Sequence, residues 1–385
     1  NCADLISWAQ AGDSVGESGV DNDIMHRTMG LAEDFPEEIA YQYLVLYMLD
    51  GYPVVPGSSQ SSEILACVDR YDTLYREELM AEDSEDERLA HMKRLTGIYL
   101  KLGDTAKGAA YAQRAAEETG DPFLTEQAMY GYFMLAQGEE CLELAEAALK
   151  EDPDSFIALS YAGRAAMLLD DYPAVADYGV RLSDIAKESD DPYADYMLYQ
   201  FVSYLTVEDS WYAMSDRFPG AACYHELPEE QLKQIQENEY LNAYIQAFAA
   251  STDNTVVDLG YYRWEDPEGE RALELADALI SMKEEAGFPH YIRGMVLNGV
   301  DRYEEAIREY TAALAQQPDE HYIWYALGAC YEELGDLQNA QQAFQISLDI
   351  MPKIGSSHTG DWTGVSVHAG FALERVRGQL AQGGN

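Results

Sequence analysis

The feature that most constrains the fold of this chain is a repeat of 34 residues in its last third. Matching residues recur at this interval in the pairs Gly294 and Gly328, Ala306 and Ala340, Tyr310 and Phe344, and Pro318 and Pro352. A third, weaker unit precedes them, with Leu259 and Gly260 in the places of Leu327 and Gly328. A fixed period of this length indicates stacked supersecondary units rather than one compact core.

Each unit is predicted to form two antiparallel helices that bury their apolar faces against the next pair. The turns between the helices are marked by "LGD" at 334–336 and "VDRY" at 300–303. Pro318 and Pro352 fall where helices should end, because proline cannot continue the hydrogen-bond ladder. Small residues such as Gly328 and Ala340 allow the two helices of a pair to approach closely.

These residues resemble the signature of the tetratricopeptide repeat family. In the last unit the matching residues are Trp324, Leu327, Gly328, Tyr331, Ala340, Phe344, Ser347 and Pro352. The unit before it has His290 where Trp is usual, and the earliest has Glu284 in place of proline. The resemblance implies an all-α fold, a right-handed superhelical solenoid of antiparallel helix pairs.

Weaker versions of the pattern continue upstream, with shifts of register. The sequence therefore predicts five consecutive segments. They are a divergent helical N-terminal cap at 1–86, tetratricopeptide-like repeats at 87–190, an irregular helical pair at 191–252, three units of 34 residues at 253–354, and a linker with a C-terminal capping helix at 355–385.

The chain is strongly acidic, with 70 Asp and Glu against 24 Lys and Arg and a formal net charge of -46. This charge repels nucleic acid and anionic membrane surfaces, so neither is an expected partner. A basic protein or peptide is compatible with it. The charge also keeps a large helical surface in solution, whatever the partner is.

No residue pattern indicates catalysis or a cofactor. Phosphate-binding glycine motifs are absent, and the seven histidines show no metal-binding spacing. The acidic run "EDSEDE" at 82–87 lacks the ligand spacing of a calcium loop and is interpreted as a solvated helix start. The five cysteines form no C-x-x-C pair and are expected to be buried thiols. We therefore expect neither catalytic residues, nor a metal, nor a cofactor.

In this family the first helices of successive units line a concave face, and the resemblance implies which side chains point into it. The peptide-binding residues predicted in this way are Tyr261, Trp264, Glu265, Phe288, Tyr291, Met295, Tyr322, Tyr325, Glu332 and Glu333. The predicted groove is aromatic with an acidic edge, which suits a basic or aromatic-rich protein or peptide. The carboxylate clamp of some family members is not expected, because the matching places lack its basic residues.

Two alternatives remain open at this point. The aromatic side chains of the groove can instead pack on neighbouring repeats or on the C-terminal helix. Alternatively, the chain is an envelope or extracellular binding protein that stacks a glycan or another small neutral ligand on its Tyr and Trp rings.

The location of the protein is predicted from indirect features. The acidity and the start at Asn1 without an initiator Met favour a membrane-anchored or secreted, outward-facing domain, as on a bacterial envelope. Unpaired cysteines favour the reducing cytoplasm instead.

Overall fold

The computed structural model describes residues 22–49, 58–206, 223–252, 259, 265–350 and 364–383. These ranges form α-helices joined by short turns, with one short 3-10 helix at Cys223–Glu226 and no β-strand among them. The all-α helical repeat fold predicted from the sequence is thus confirmed. The chain divides into two compact units, with the boundary between Gly131 and Tyr132.

The first unit has a core of aliphatic side chains from its paired helices, including Leu44, Ile64, Val68, Leu95 and Ile98. Its helices are α1 (Asn22–Asp34), α2 (Ile39–Met48), α3 (Ser59–Glu78), α4 (Glu85–Lys101), α5 (Thr105–Thr119) and α6 (Pro122–Met134), the last of which continues into the second unit.

The second unit is an array of helices whose core is rich in alanine and aromatic residues. They are α7 (Gly138–Glu151), α8 (Phe156–Leu168), α9 (Tyr172–Glu188), α10 (Pro192–Thr206), α11 (Glu229–Glu237), α12 (Glu239–Thr252), α13 (Glu270–Met282), α14 (Gly287–Gly299), α15 (Tyr303–Gln316), α16 (His321–Glu333), α17 (Leu337–Asp349) and α18 (Gly364–Gly383).

The turns between paired helices share one geometry. Gly335, in the "LGD" turn, has a φ of 75°, a left-handed conformation that glycine adopts without steric cost. Asp336 follows it and caps α17, because its side chain accepts a hydrogen bond from the Asn339 amide. In the "VDRY" turn, Asp301 takes the left-handed position with a φ of 60°. The turn signals in the sequence thus correspond to helix stops and starts.

The small residues of the repeat lie where paired helices cross. A Cβ atom on Gly328 would stand 2.7 Å from the Phe344 ring, and one on Gly294 would stand 2.5 Å from the Tyr310 ring. Ala340 is fully buried at the same crossing. Helices α16 and α17, like α14 and α15, therefore pack with an aromatic ring of one helix against the bare backbone of the other.

The acidic run at 82–87 forms the N-terminus of α4. Ser84 accepts a hydrogen bond from the Glu87 amide, and the Glu87 carboxylate accepts one from the Ser84 amide at 2.8 Å. This reciprocal pair is a capping box. No cluster of three or more His, Cys, Asp and Glu side chains able to hold a metal ion occurs in the described ranges.

Helices α10, α12 and α14 are joined by a buried carboxylate on Asp195. It accepts a hydrogen bond of 2.9 Å from the Phe288 amide at the start of α14 and one of 3.3 Å from the Tyr244 hydroxyl on α12. Burial raises the pKa of Asp195 to about 6, and the hydrogen bond from Phe288 opposes that rise. A second long-range link runs from the Gln317 side-chain amide to the Pro192 carbonyl oxygen, at 2.7 Å.

The C-terminal helix α18 covers the last repeat. Ala372, Leu373 and Val376 pack against Ala340 and Phe344 on α17. On the partly exposed side of α18, Arg375 makes a bidentate ion pair with Glu332 on α16, with N–O distances of 2.6 and 2.7 Å.

Several sequence predictions fall outside the described residues. These are Gly260, Tyr261, Trp264, Pro352 and the start of the linker at 355–363. Among the described helices, none has the length and apolarity needed to cross a membrane. Cys67, Cys141 and Cys330 are buried thiols, as the sequence predicted for this residue type.

Candidate functional site

Three of the predicted groove residues that the structure describes lie on one tyrosine-rich face. Tyr291 and Met295 lie on α14 and Tyr322 lies on α16, and all three are partly buried. The first helices of two successive repeats therefore bring these side chains to one surface, within the second unit.

Three tyrosines from three helices form a continuous cluster. The Tyr291 and Tyr322 ring centroids lie 5.3 Å apart, nearly perpendicular. Tyr199, on α10, lies 5.9 Å from Tyr291 and 6.3 Å from Tyr322. Such spacings are typical of favourable aromatic pairs. We call Tyr199, Tyr291 and Tyr322 the tyrosine cluster.

Phe288 differs from its sequence-based placement in the groove. Its side chain is fully buried, and its ring stacks on Tyr199 with a centroid distance of 4.6 Å. Tyr196 of α10 covers it from another side, at 5.7 Å. Because α10 lies across the start of α14, Phe288 is part of the core beneath the tyrosine cluster.

A buried acid lies beside the cluster. Glu320, which precedes α16, is only 3% exposed. Burial raises the pKa of its carboxyl group to about 8, and the neighbouring Tyr322 hydroxyl offsets part of that rise. Burial also holds the pKa of Tyr291 and Tyr322 above the usual range, so both hydroxyl groups remain protonated at neutral pH.

The other described residues of the predicted groove are not part of the tyrosine cluster. Tyr325 packs on the Phe344 ring at 5.7 Å, and Glu332 is held by Arg375 of α18. These two side chains are engaged by the chain itself. Glu265 and Glu333 are exposed.

Tyr199 belongs to the cluster but was not among the predicted residues. It lies in "YADYMLYQFVSYL", a segment that matches no repeat register, so the position of its side chain could not be read from the alignment. The signal available was compositional, because this stretch carries five tyrosine and phenylalanine residues on an apolar helical pattern.

Comparison with known families identifies the repeats directly. Residues 293–353 match a tetratricopeptide repeat model. This range holds most of α14, all of α15, α16 and α17, and the close crossing of Gly328 with Phe344. A search of the curated proteins finds no match.

Solved structures with similar folds include several tetratricopeptide repeat proteins. One from Parabacteroides merdae is 10% identical, with 92% of this chain and 98% of that chain covered and a TM-score of 0.35. YrrB, a tetratricopeptide repeat protein with an unusual peptide-binding site, is 15% identical, with coverages of 68% and 97% and a TM-score of 0.24.

A third is the human IFIT1 dimer with m7Gppp-AAAA, 16% identical, with coverages of 88% and 76% and a TM-score of 0.31. Residues 293–353, with the paired helices in this range, are thus similar to the tetratricopeptide repeat.

Proposed function

We propose that the protein is a non-catalytic tetratricopeptide repeat scaffold that binds a protein or peptide on the face formed by α10, α14 and α16. The observation that carries this proposal is the tyrosine cluster, in which rings from three helices meet and remain partly exposed. Aromatic side chains give large contact areas at low entropic cost, and they dominate binding energy at protein interfaces.

The chemistry of the face favours a partner with aromatic and basic side chains. Partner rings can pack on the tyrosines and beside Met295, which adapts its shape to different neighbours. The exposed carboxylate of Glu333 on α16 and the net charge of -46 attract Lys and Arg and repel polyanions such as RNA.

An alternative role for the same rings is purely structural, since the cluster also joins three helices. The two roles predict different results. A structural cluster loses stability when it is altered, whereas a binding face also loses affinity when a charge is added at its partly exposed edge without loss of folding.

The test uses three fluorescein-labelled peptides of equal length, about twelve residues each. One alternates Lys with Trp, one alternates Lys with Ser, and one alternates Glu with Trp. Anisotropy titrations against the full chain should show the Lys-Trp peptide binding at least ten times more tightly than either of the others. Its affinity should fall between low and physiological salt, because the charge contribution is screened.

Met295→Arg should weaken the Lys-Trp peptide at least tenfold, because it places a like charge beside the cluster. Thr311→Arg is the matched control, since Thr311 is exposed on the second helix of the same pair. Tyr199→Leu is a second test variant, which removes one ring of the cluster and should also weaken the Lys-Trp peptide. Circular dichroism melting of each variant shows whether it folds. Equal binding of the Lys-Trp and Lys-Ser peptides, or equal effects of the two Arg variants, would show that binding is unspecific charge attraction.

A further inference from the structure

The first unit contains a pocket that the repeat pattern did not indicate. It has a volume of about 260 Å³ and lies between α2, α3 and α4. The side chains that give it its chemistry are Tyr43, Tyr71, Tyr75, Asp83, His91 and Arg94. None of these residues belongs to the face proposed above, so the two sites are independent.

The walls of this pocket are aromatic. Tyr75 stacks on the His91 ring with a centroid distance of 3.6 Å and an interplanar angle of 20°. Tyr71 lies 5.3 Å from His91 and 5.8 Å from Tyr43. Rings from three helices therefore line one small volume.

Polar groups converge on the same volume. The Tyr75 hydroxyl donates a 2.6 Å hydrogen bond to one carboxylate oxygen of Asp83, which orients the acid. Arg94 donates to the Leu46 carbonyl oxygen at 3.0 Å and lies 5.8 Å from the Tyr43 ring centroid, so its guanidinium is held at the rim.

The Tyr71 hydroxyl is one of two polar groups of the lining whose hydrogen-bonding capacity the protein leaves unused, beside His91 Nε2. It makes no hydrogen bond to any described residue, although the side chain is only 7% exposed. Burial raises the pKa of Tyr71 to about 12, so the hydroxyl is a proton donor at neutral pH. His91 Nε2, which also lines the pocket, is buried without a hydrogen-bond partner among the described residues. A buried polar group of this kind gains free energy when a ligand supplies a partner.

Size and charge restrict the ligand. At about 30 Å³ per water molecule, the pocket has room for on the order of nine waters, which suits one six-membered ring rather than a long chain. Asp83 and Arg94 carry opposite charges, so the pocket favours neither a cation nor an anion. Aromatic faces with hydrogen-bonding groups between them suit a ring that is apolar on its faces and polar around its edge.

We propose that this pocket binds a neutral sugar ring, with its face against the tyrosines and its hydroxyl groups on Tyr71, Asp83 and Arg94. The carboxylate of Asp83 accepts hydrogen bonds from adjacent hydroxyls, while Tyr71 and Arg94 donate to the sugar oxygens. A peptide aromatic side chain would use the rings but would leave these polar groups without partners.

Saturation-transfer difference NMR on the full chain provides the test. The probes are methyl β-D-glucopyranoside, methyl α-D-mannopyranoside, methyl β-D-galactopyranoside and N-acetylglucosamine, with N-acetyltyrosinamide as the aromatic comparison. At least one sugar should give a saturable signal, with a Kd on the order of 1 mM, about -4 kcal/mol. Absence of saturation for every sugar, or stronger binding of N-acetyltyrosinamide, would overturn the proposal.

Two variants locate the binding. Tyr71→Phe removes one hydroxyl and keeps the ring, so it should raise the Kd about fivefold. Ala90→Trp should abolish binding, because Ala90 is exposed at the edge of the pocket and a large ring there fills it. Tyr41→Phe on α2 and Asp86→Trp on α4 change residues outside the pocket lining, so these controls should bind as the wild type does. A sugar signal unchanged by Tyr71→Phe and Ala90→Trp would place the binding elsewhere and refute this site.

Discussion

The Phe344 ring occupies the space that a side chain on Gly328 would need, with ring carbons 2.7 Å from the ideal Cβ position. Gly328→Ala should therefore lower the free energy of unfolding by about 1–3 kcal/mol, because the ring or the helix must shift. In most helices the same change is stabilising, since alanine is the better helix former. Chemical denaturation followed by circular dichroism measures the difference.

Gly378→Ala is the matched control for this prediction. Gly378 lies inside α18, and a Cβ there meets no atom within 4 Å. This substitution should raise the free energy of unfolding by about 0.5–1 kcal/mol. If both alanine variants are stabilising, close packing is not the reason for glycine at position 328.

Glu320 should make stability depend on pH. Its pKa is raised to about 8 in the folded chain, so the folded state holds a proton that the unfolded state releases above its ordinary pKa of about 4.5. This contribution to stability is fully present below about pH 4.5 and is lost as the pH rises towards 8. The slope approaches about 1.4 kcal/mol per pH unit between these limits.

Glu320→Gln isolates this effect, because an amide keeps the shape and does not titrate. Unfolding free energies measured from pH 5 to pH 8 should decline less steeply for the variant than for the wild type. His290, whose pKa is raised mainly by its hydrogen bond to Glu309, contributes a decline of the same sign to both proteins. Parallel curves for the two proteins would contradict the raised pKa of Glu320.

Arg164 is a buried cation held by aromatic rings. It is 3% exposed, and its guanidinium carbon lies 4.0 Å from the Tyr161 ring centroid and 5.1 Å from that of Phe133. Its Nε donates a hydrogen bond of 3.3 Å to the Ser160 carbonyl oxygen, and its Nη2 is buried without a hydrogen-bond partner among the described residues. Since burying a charge is costly, Arg164→Met should leave the free energy of unfolding within about 1 kcal/mol of the wild type.

Arg164→Ala is the comparison, because it removes the same charge but leaves a cavity. It should lower the free energy of unfolding by about 2–5 kcal/mol. Urea denaturation of both variants separates the two contributions. If the methionine variant is as unstable as the alanine variant, the attraction between the cation and the rings outweighs the cost of burying it.

The attachment of α18 should depend on its apolar face. Val376→Glu places a charge at a fully buried position against α17 and should release the helix, which hydrogen exchange would detect as faster exchange across α18. Arg375→Ala removes the ion pair with Glu332, which is partly exposed on the Arg375 side and is worth about 0.2–1 kcal/mol. This variant should therefore exchange across α18 at nearly the rate of the wild type. If α18 exchanges equally fast in both variants, the ion pair is needed to hold the helix.

The repeat units were predictable because their information is local. The 34-residue spacing, Pro318 and the "LGD" turn identified the α16–α17 pair. In the structure α16 begins at His321, after Pro318, and ends at Glu333, before the turn, and α17 begins at Leu337 after it. Small residues at the crossing followed from the same spacing. Each of these features depends on residues within one unit, so a sequence comparison suffices to find it.

The candidate site was predictable only in part. Tyr291 and Tyr322 came from the repeat register and do lie together, whereas Phe288 is buried by α10, whose residues are about ninety positions earlier. The repeat register carries no information about such a distant neighbour. The pocket around Tyr71 was not predicted for a similar reason, since α2, α3 and α4 lie in the divergent part of the chain.

The buried link from Asp195 to the Phe288 amide, together with that from Gln317 to Pro192, joins segments 93 and 125 residues apart. Repeat arrays whose units contact only their nearest neighbours can unfold one unit at a time, starting from an end. Hydrogen bonds between segments that are far apart in the sequence oppose such stepwise unfolding. They favour melting of the stretch from α10 to α16 in a single concerted step, and they slow its folding because distant segments must first meet.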